Sequence, residues 1–311
     1  MPGVSAIICV YNQPLVKDAI ESVLAQTYPD YELIIIDDGS SDDTRKILAS
    51  YQNRASIFRQ KNQGIAKARN RGLSLARGDL IAFLDADDLW LPQYLSKQVE
   101  FLDSHPEFYL SFTDGWFIWQ EKIPEELHSL KTYFTHYPAP AYDNSARIFF
   151  EVPVITSLLM FRRSLFEKVG WFSEELRIHE DADLLLRSLE QGMKFGFVNE
   201  PLGIKRQLGT GLSQDELGNY LLAREVNHRS WVRSKLLRPY LRKGLPELER
   251  AIARIYFEKG DPSKARRFLL SALRYKPWAI RTFLLWIISF LPHWLSGSLV
   301  QRSLPVYKKW K

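Results

Sequence analysis

Residues 77–90 read RGDLIAFLDADDLW, and the architecture follows from this stretch. Leu80, Ile81, Ala82, Phe83 and Leu84 show no alternation and are too few for a helix, which predicts a strand covered on both faces in a parallel sheet. Asp85, Asp87 and Asp88 come at its carboxyl end, the edge where open α/β sheets bind ligands. Carboxylates this close repel unless a cation lies among them, and a divalent metal is the simplest neutraliser. The plainer alternative is that Asp88 caps a helix beginning near Leu91 and Pro92. Spacing alone leaves both readings open, since Asp181 and Asp183 repeat the Asp-x-Asp pattern elsewhere.

Upstream, residues 4–10 read as a strand, and Leu15, Ala19, Ile20, Val23 and Leu24 fall at helical spacing within residues 14–26. Residues 33–36 form another apolar run that ends in Asp37 and Asp38, so a βαβ unit brings these acids to the same sheet edge as Asp85 and Asp87. Helices are predicted over 44–51 and 64–76, with a short strand at Ile57 and Phe58. The expected class is α/β, a doubly wound, mostly parallel sheet flanked by helices. No Gly-x-Gly-x-x-Gly or Gly-Lys-Ser/Thr phosphate loop occurs, so a bound diphosphate must be held by something other than glycine-rich backbone, and a metal on Asp87 would serve.

In 311 residues, 46% hydrophobic, there is material for one large core and an appendage. Cys9 is the single cysteine, so no intramolecular disulfide forms, as expected of a reducing compartment. The first residues carry no basic region, and their short apolar run reads as a strand and not a signal peptide. Net charge is +6, yet after Asp261 there are ten basic residues and no acid, which leaves 32 basic against 36 acidic groups, or −4, in the first 261 positions. That asymmetry speaks against nucleic acid and for an anionic partner at one end.

The motifs in order resemble the family 2 glycosyltransferases of GT-A fold: Tyr11 and Asn12 after the first strand, residues 22–28 as SVLAQTY, residues 32–44 as ELIIIDDGSSDDT, then Gly64, Ala68, Arg69, Asn70 and Gly72, then residues 83–88 as FLDADD. The resemblance covers roughly residues 4–213 and implies that Tyr11 and Asp38 contact a nucleobase, that Asp85 lies near the ribose, and that Asp87 binds Mg²⁺ or Mn²⁺, with Asp85 beside it at the metal. It groups Asn12, Asp37, Arg69 and Asn70 with the donor site, although Arg69 and Asn70 also read as pins for the helix beneath it. Glu180, Asp181, Asp183, Leu184 and Arg187, downstream of Gly170 and Phe172, resemble the family's Glu-Asp motif, whose Asp is the catalytic base. This makes Asp181 the expected base, with Glu180 at the acceptor. The plainer reading of both acids is capping at a helix start. Thr156 and Ser157 resemble the floor of the acceptor site, and equally read as hydroxyls satisfying strand-end backbone.

Family members often carry a His two residues after the Arg that closes the core, as a third metal ligand. Here Arg206 and Gln207 are followed by Leu208, which cannot coordinate a metal. Residues 209–213 resemble a loop that closes over the donor. Between 114 and 154, Trp116, Trp119, Tyr133, Phe134, Tyr137 and Tyr142 lie among prolines, as a sugar-stacking platform or a small core under a loop.

These motifs imply an inverting, metal-dependent enzyme moving a sugar from a nucleotide diphosphate to a hydroxyl of a glycan or lipid-linked acceptor on the cytoplasmic side. The alternatives are a sugar nucleotidyltransferase, or an inactive scaffold, which Leu208 favours and the intact Asp85, Asp87 and Asp181 oppose. The expected domains are 1–214, catalytic, and 215–311, helical, where residues 251–277 resemble one tetratricopeptide helix pair. Residues 278–295 are apolar but too short to span a bilayer, so 278–311 either packs on the protein or lies on the inner face of a membrane.

Overall fold

A computed structural model describes residues 1–132, 145–151, 155–208 and 215–290, which divide into two compact units, Met1–Gly211 and Leu212–Lys311. The first alternates strands and helices: β1 (Val4–Val10), α1 (Val16–Leu24), β2 (Tyr31–Asp37), α2 (Thr44–Ala49), β3 (Ser56–Arg59), α3 (Ile65–Leu75) and β4 (Leu80–Asp85). There follow β5 (Leu89–Trp90), α4 (Tyr94–Ser104), β6 (Phe108–Ile118), α5 (Ser145–Glu151), β7 (Leu159–Arg162), α6 (Arg163–Val169), α7 (Glu180–Glu190) and β8 (Lys194–Arg206). The strands form one sheet in the order β3-β2-β1-β4-β7-β6-β8-β5. The pairs among β3, β2, β1 and β4 are parallel, while β7 runs antiparallel to both β4 and β6.

The predicted α/β class is what folds, and for the expected reason. Residues of β1 and β4 are almost wholly buried, as strands covered on both faces must be. In register, Cys9 faces Asp85 on one side and Ile36 on the other, so the carboxyl ends of β1, β2 and β4 make one level rim. Helix α3 lies directly on that region because Gly72 lets it; a Cβ there would sit 2.5 Å from Ile7 Cγ2. That close approach sets Arg69, one turn earlier, beneath the rim.

Two local expectations are corrected. Asp88 caps no helix: β5 intervenes, pairing antiparallel with β8, and α4 starts only at Tyr94 after Gln93, with no side-chain cap. Residues 114–118, read as irregular, continue β6 alongside β8. Trp116 there is buried with Ile118 and Ile204 in a small cluster, the core reading, whereas Trp119 is exposed. Tyr133, Phe134, Tyr137 and Tyr142 lie outside the described residues, as do 209–213.

The second unit contains α8 (Glu216–Arg233), α9 (Arg238–Glu258), α10 (Pro262–Tyr275) and α11 (Ile280–Ile288). Gly260, at φ +75, ends α9, and the Asp261 side chain accepts the Lys264 N–H at the start of α10 with Pro262 in the first turn, so the expected helix pair forms. Helix α9 carries Pro246 within it, buried beside Leu245. Ala253, Phe257, Ala265, Leu269 and Leu285 make this unit's core.

Candidate active site

The rim gathers the acids of β4 around a lysine. Asp85 Oδ1 accepts Arg69 Nη2 at 2.8 Å and its Oδ2 accepts Lys205 Nζ at 3.1 Å. Burial alone would raise this carboxyl, but Lys205 and then Arg69 outweigh it and hold it well below the usual range. Asp88 is fully buried; its Oδ1 accepts the Arg206 N–H at 3.0 Å, and its Oδ2 accepts Ser157 Oγ at 2.5 Å and Lys205 Nζ at 3.0 Å. Burial pushes the Asp88 carboxyl up to about 7, against the pull of Lys205. Asp87 differs, for among the described residues no other group donates a hydrogen bond or ion pair to its carboxylate. Burial raises it too, and Lys205 lowers it.

The cation expected among these acids is therefore, in part, a side chain. Lys205 was not anticipated; its signal in the sequence was a Lys-Arg pair closing the apolar run of β8, next to acids that need a counter-charge. A divalent metal still fits. One oxygen from each of Asp85, Asp87 and Asp88 lies within 4.8 Å of the others. Mg²⁺ and ions like it are commonly held by one or two carboxylates together with substrate phosphates, and the unengaged Asp87 offers one. Asp85, with both oxygens on cations, would join only by exchanging Lys205.

A second constellation meets this rim through Arg69. The guanidinium is buried, lies over the rings of Phe83 and Phe172, and bridges Asp85 to Glu180, the first residue of α7. Burial pushes Glu180 up to about 7 and the Asp181 charge adds to this, while Arg69 pulls it down. Before it, His179 sits at φ +64, a left-handed conformation rare for a residue with a side chain, and this turn sends Glu180 inward and leaves Asp181 partly exposed. Asp181 Oδ2 accepts Thr156 Oγ1 at 2.7 Å and its Oδ1 accepts the Ala182 N–H at 2.7 Å, so the carboxylate is held at both ends.

Several roles expected from the sequence move accordingly. Thr156 and Ser157 are buried: one hydroxyl holds Asp181, while the next donates to Asp88 and accepts the Asp85 N–H at 3.1 Å. Two successive residues thus tie both acid groups together. Glu180, expected at the acceptor, is buried and paired with Arg69. Asn70 accepts the Phe172 N–H and donates to the Phe172 carbonyl and to Glu174 Oε1, each at 3.0 Å, which pins the loop before α7. Asp183 completes this scaffold, accepting Ser173 Oγ at 2.7 Å and Arg187 Nε at 2.8 Å.

At the other end of the rim, Tyr11 is 50% exposed, a free ring face at the end of β1. Asn12, at φ +48, donates its N–H to Ser40 Oγ at 3.0 Å and accepts the Ser41 N–H at 2.8 Å, locking two loops together. Asp37 is buried and accepts the Ser40 N–H at 2.8 Å, with Arg59 3.6 Å away. Asp38 accepts Gln60 Nε2 at 2.8 Å and the Gln63 and Gly64 N–H groups at 3.0 and 2.9 Å, which shapes the adjoining wall. Cys9 lies under the site, where burial pushes its thiol up to about 12 and keeps it from acting as a nucleophile.

Known proteins match this chain in the same region. The family described as glycosyl transferase family 2 matches residues 5–170. An uncharacterized glycosyltransferase of Rickettsia typhi is 34% identical over 194 residues, covering 60% of this chain and 59% of that protein. The putative glycosyltransferase EpsE of Bacillus subtilis is 33% identical over 201 residues, covering 62% of this chain and 69% of its own length. The crystal structure of an S. aureus TarS fragment in complex with UDP-GlcNAc superposes with a TM-score of 0.68 at 18% identity, over 96% of this chain and 90% of that one. The mannosyltransferase PcManGT of Pyrobaculum calidifontis, in complex with GDP-Man and Mn²⁺, gives 0.60 at 17% identity, over 97% and 86%.

Proposed function

The chain belongs to glycosyl transferase family 2 and has the GT-A fold, and from that premise we propose that it is an inverting enzyme carrying a sugar from a nucleotide diphosphate to a hydroxyl of a glycan or lipid-linked acceptor. The observation that carries this reading is that consecutive Thr156 and Ser157 hold Asp181 and Asp88, and Arg69 bridges Glu180 to Asp85, which ties the Asp181 segment to the acids grouped with Asp87. A base on one side of the sugar and a diphosphate subsite on the other are what transfer requires.

In this reading Tyr11 stacks on the nucleobase, with Asp38 and the loop it holds as the wall beside it, and Asp85 faces the ribose. Asp87 would hold Mg²⁺ or Mn²⁺, which when bound supplies charge against the growing negative charge of the leaving diphosphate. Lys205, with two of its three N–H donors on Asp85 and Asp88 and its side chain 19% exposed, keeps one donor for the same phosphates. Asp181 removes the proton from the acceptor hydroxyl as it attacks, a contribution of about 10² to 10⁴ in rate. Its two hydrogen bonds hold the carboxylate in one orientation. Among the described residues the neighbouring carboxylate, Glu180, is taken up by Arg69 and not offered as a nucleophile, so a single displacement inverts the anomeric centre. The complexes of the two solved relatives, one with a UDP-sugar and one with a GDP-sugar and Mn²⁺, support both the donor class and the metal.

A screen of nucleotide sugars with and without Mn²⁺ tests this. Metal-stimulated release of nucleoside diphosphate is expected; no such release, with pyrophosphate formed instead from a nucleoside triphosphate and a sugar 1-phosphate, identifies a nucleotidyltransferase, and neither reaction identifies a silent scaffold.

A further inference from the structure

Helix α11 is apolar nearly all round, IRTFLLWII, yet among the described residues only one side of it is covered. Thr282, Leu285 and Ser289 are buried; Arg250 donates to the Thr282 hydroxyl at 2.9 Å and Arg266 to the Ser289 carbonyl at 2.8 Å. Ile280, Phe283, Leu284, Ile287 and Phe290 are 46–74% exposed, and Trp278 just before the helix is 85% exposed. At 100° per residue the exposed five occupy an arc of about 120° centred opposite the buried three. A helix apolar on all sides is ordinarily enclosed, and a contiguous apolar face of this kind marks a contact.

Charge on the page says with what. Arg281 stands exposed at the margin of the apolar arc, and Arg274 and Lys276 are exposed on the approach to it. No acidic residue follows Asp261 anywhere in the sequence. Phe and Trp on the apolar side, basic residues at the edge and no opposing acid suit a surface that is apolar inside and anionic outside. A nine-residue helix is too short to cross a bilayer, and among the described residues no helix is long and apolar enough to do so. We propose that residues 278–290 lie flat on an anionic lipid surface, with Trp278, Phe283, Leu284 and Ile287 entering the headgroup boundary and Arg274, Lys276 and Arg281 against the phosphates. This does not depend on the enzymatic reading above.

Co-sedimentation of the full chain with vesicles of phosphatidylcholine, with and without phosphatidylglycerol, tests it. Binding to the anionic vesicles at least tenfold stronger than to neutral ones is expected, and it should weaken as salt rises. Phe283→Glu with Ile287→Glu should reduce the partition at least tenfold. Arg274→Gln with Arg281→Gln should reduce it roughly fivefold per charge on anionic vesicles, with little change on neutral ones. Because all four positions are exposed, circular dichroism should show unchanged folding. Failure to bind either vesicle, or binding that survives both pairs of substitutions, overturns the proposal. So does a dimer in light scattering that the Phe283/Ile287 variant dissociates without any vesicle binding, which would make the face a self-contact.

Discussion

Replacing Lys205 by Met keeps the length of the side chain and removes its charge. Lys205 Nζ stands 3.0 Å from Asp88 Oδ2 and 3.1 Å from Asp85 Oδ2, with Asp88 fully buried. At an effective dielectric of about 20, each contact carries roughly 5 kcal/mol of Coulomb attraction before desolvation. Removing one partner of such a buried pair costs about 3–5 kcal/mol net, because the acids left behind lose their compensation. For a unit of this size that lowers Tm by roughly 6–20 °C. The substitution also opens the position between Asp85, Asp87 and Asp88, so Mn²⁺ gains ligands that the wild type keeps on its own ammonium. At a hundredfold excess over its Kd, the ion returns about 2.7 kcal/mol. Thermal unfolding in EDTA and in saturating Mn²⁺ reads both effects: a large loss in EDTA, most of it recovered with Mn²⁺, and a smaller Mn²⁺ shift in the wild type. Equal stability in EDTA, or an identical Mn²⁺ shift in both proteins, would refute the assignment of Lys205 as the resident counter-charge.

Asp87→Asn should abolish Mn²⁺ stimulation of donor turnover and weaken Mn²⁺ binding in titration calorimetry, with Tm in EDTA unchanged or slightly raised because a crowded carboxylate has become neutral. Glu180 supplies a pH test. Its folded pKa, raised by burial to about 7 from an ordinary 4.5, makes its contribution to stability fully present below pH 4.5 and lost as pH rises through 7. The difference is worth up to about 3 kcal/mol. Glu180→Gln can still accept from Arg69, so the gap between wild-type and variant unfolding free energies should change by that amount between pH 4.5 and 8; parallel pH profiles would show that Glu180 does not titrate there.

Much of this was legible in the primary structure because it is local. Apolar runs such as residues 80–84 declare strands buried on both faces, and the βαβ connection then forces their acidic ends to one edge. The order of motifs added Asp181 to that edge from a hundred residues away. What escaped was decided by contacts between distant segments. Thr156 and Ser157 look like strand-end hydroxyls until the fold sets one against Asp181 and the other against Asp88. Glu180 and Asn70 resemble ligands to substrate, yet Arg69 and Phe172 take up their polar atoms. Pro246 lies inside α9, where burial of Leu241 and Leu245 on the same helix offsets its cost. Lys205 was hidden because a lysine at a strand end is usually solvated; only the pairing of β8 beside β5 brings it among the acids.

The central claim is that Asp181 acts on the acceptor and not on the donor. Measuring nucleotide-sugar affinity by calorimetry and transfer rate on the same preparation of Asp181→Asn tests it most directly. The account predicts a rate lowered by at least 10² with donor Kd within about threefold of the wild type. A matching loss of donor affinity, or a rate that barely falls, would contradict it.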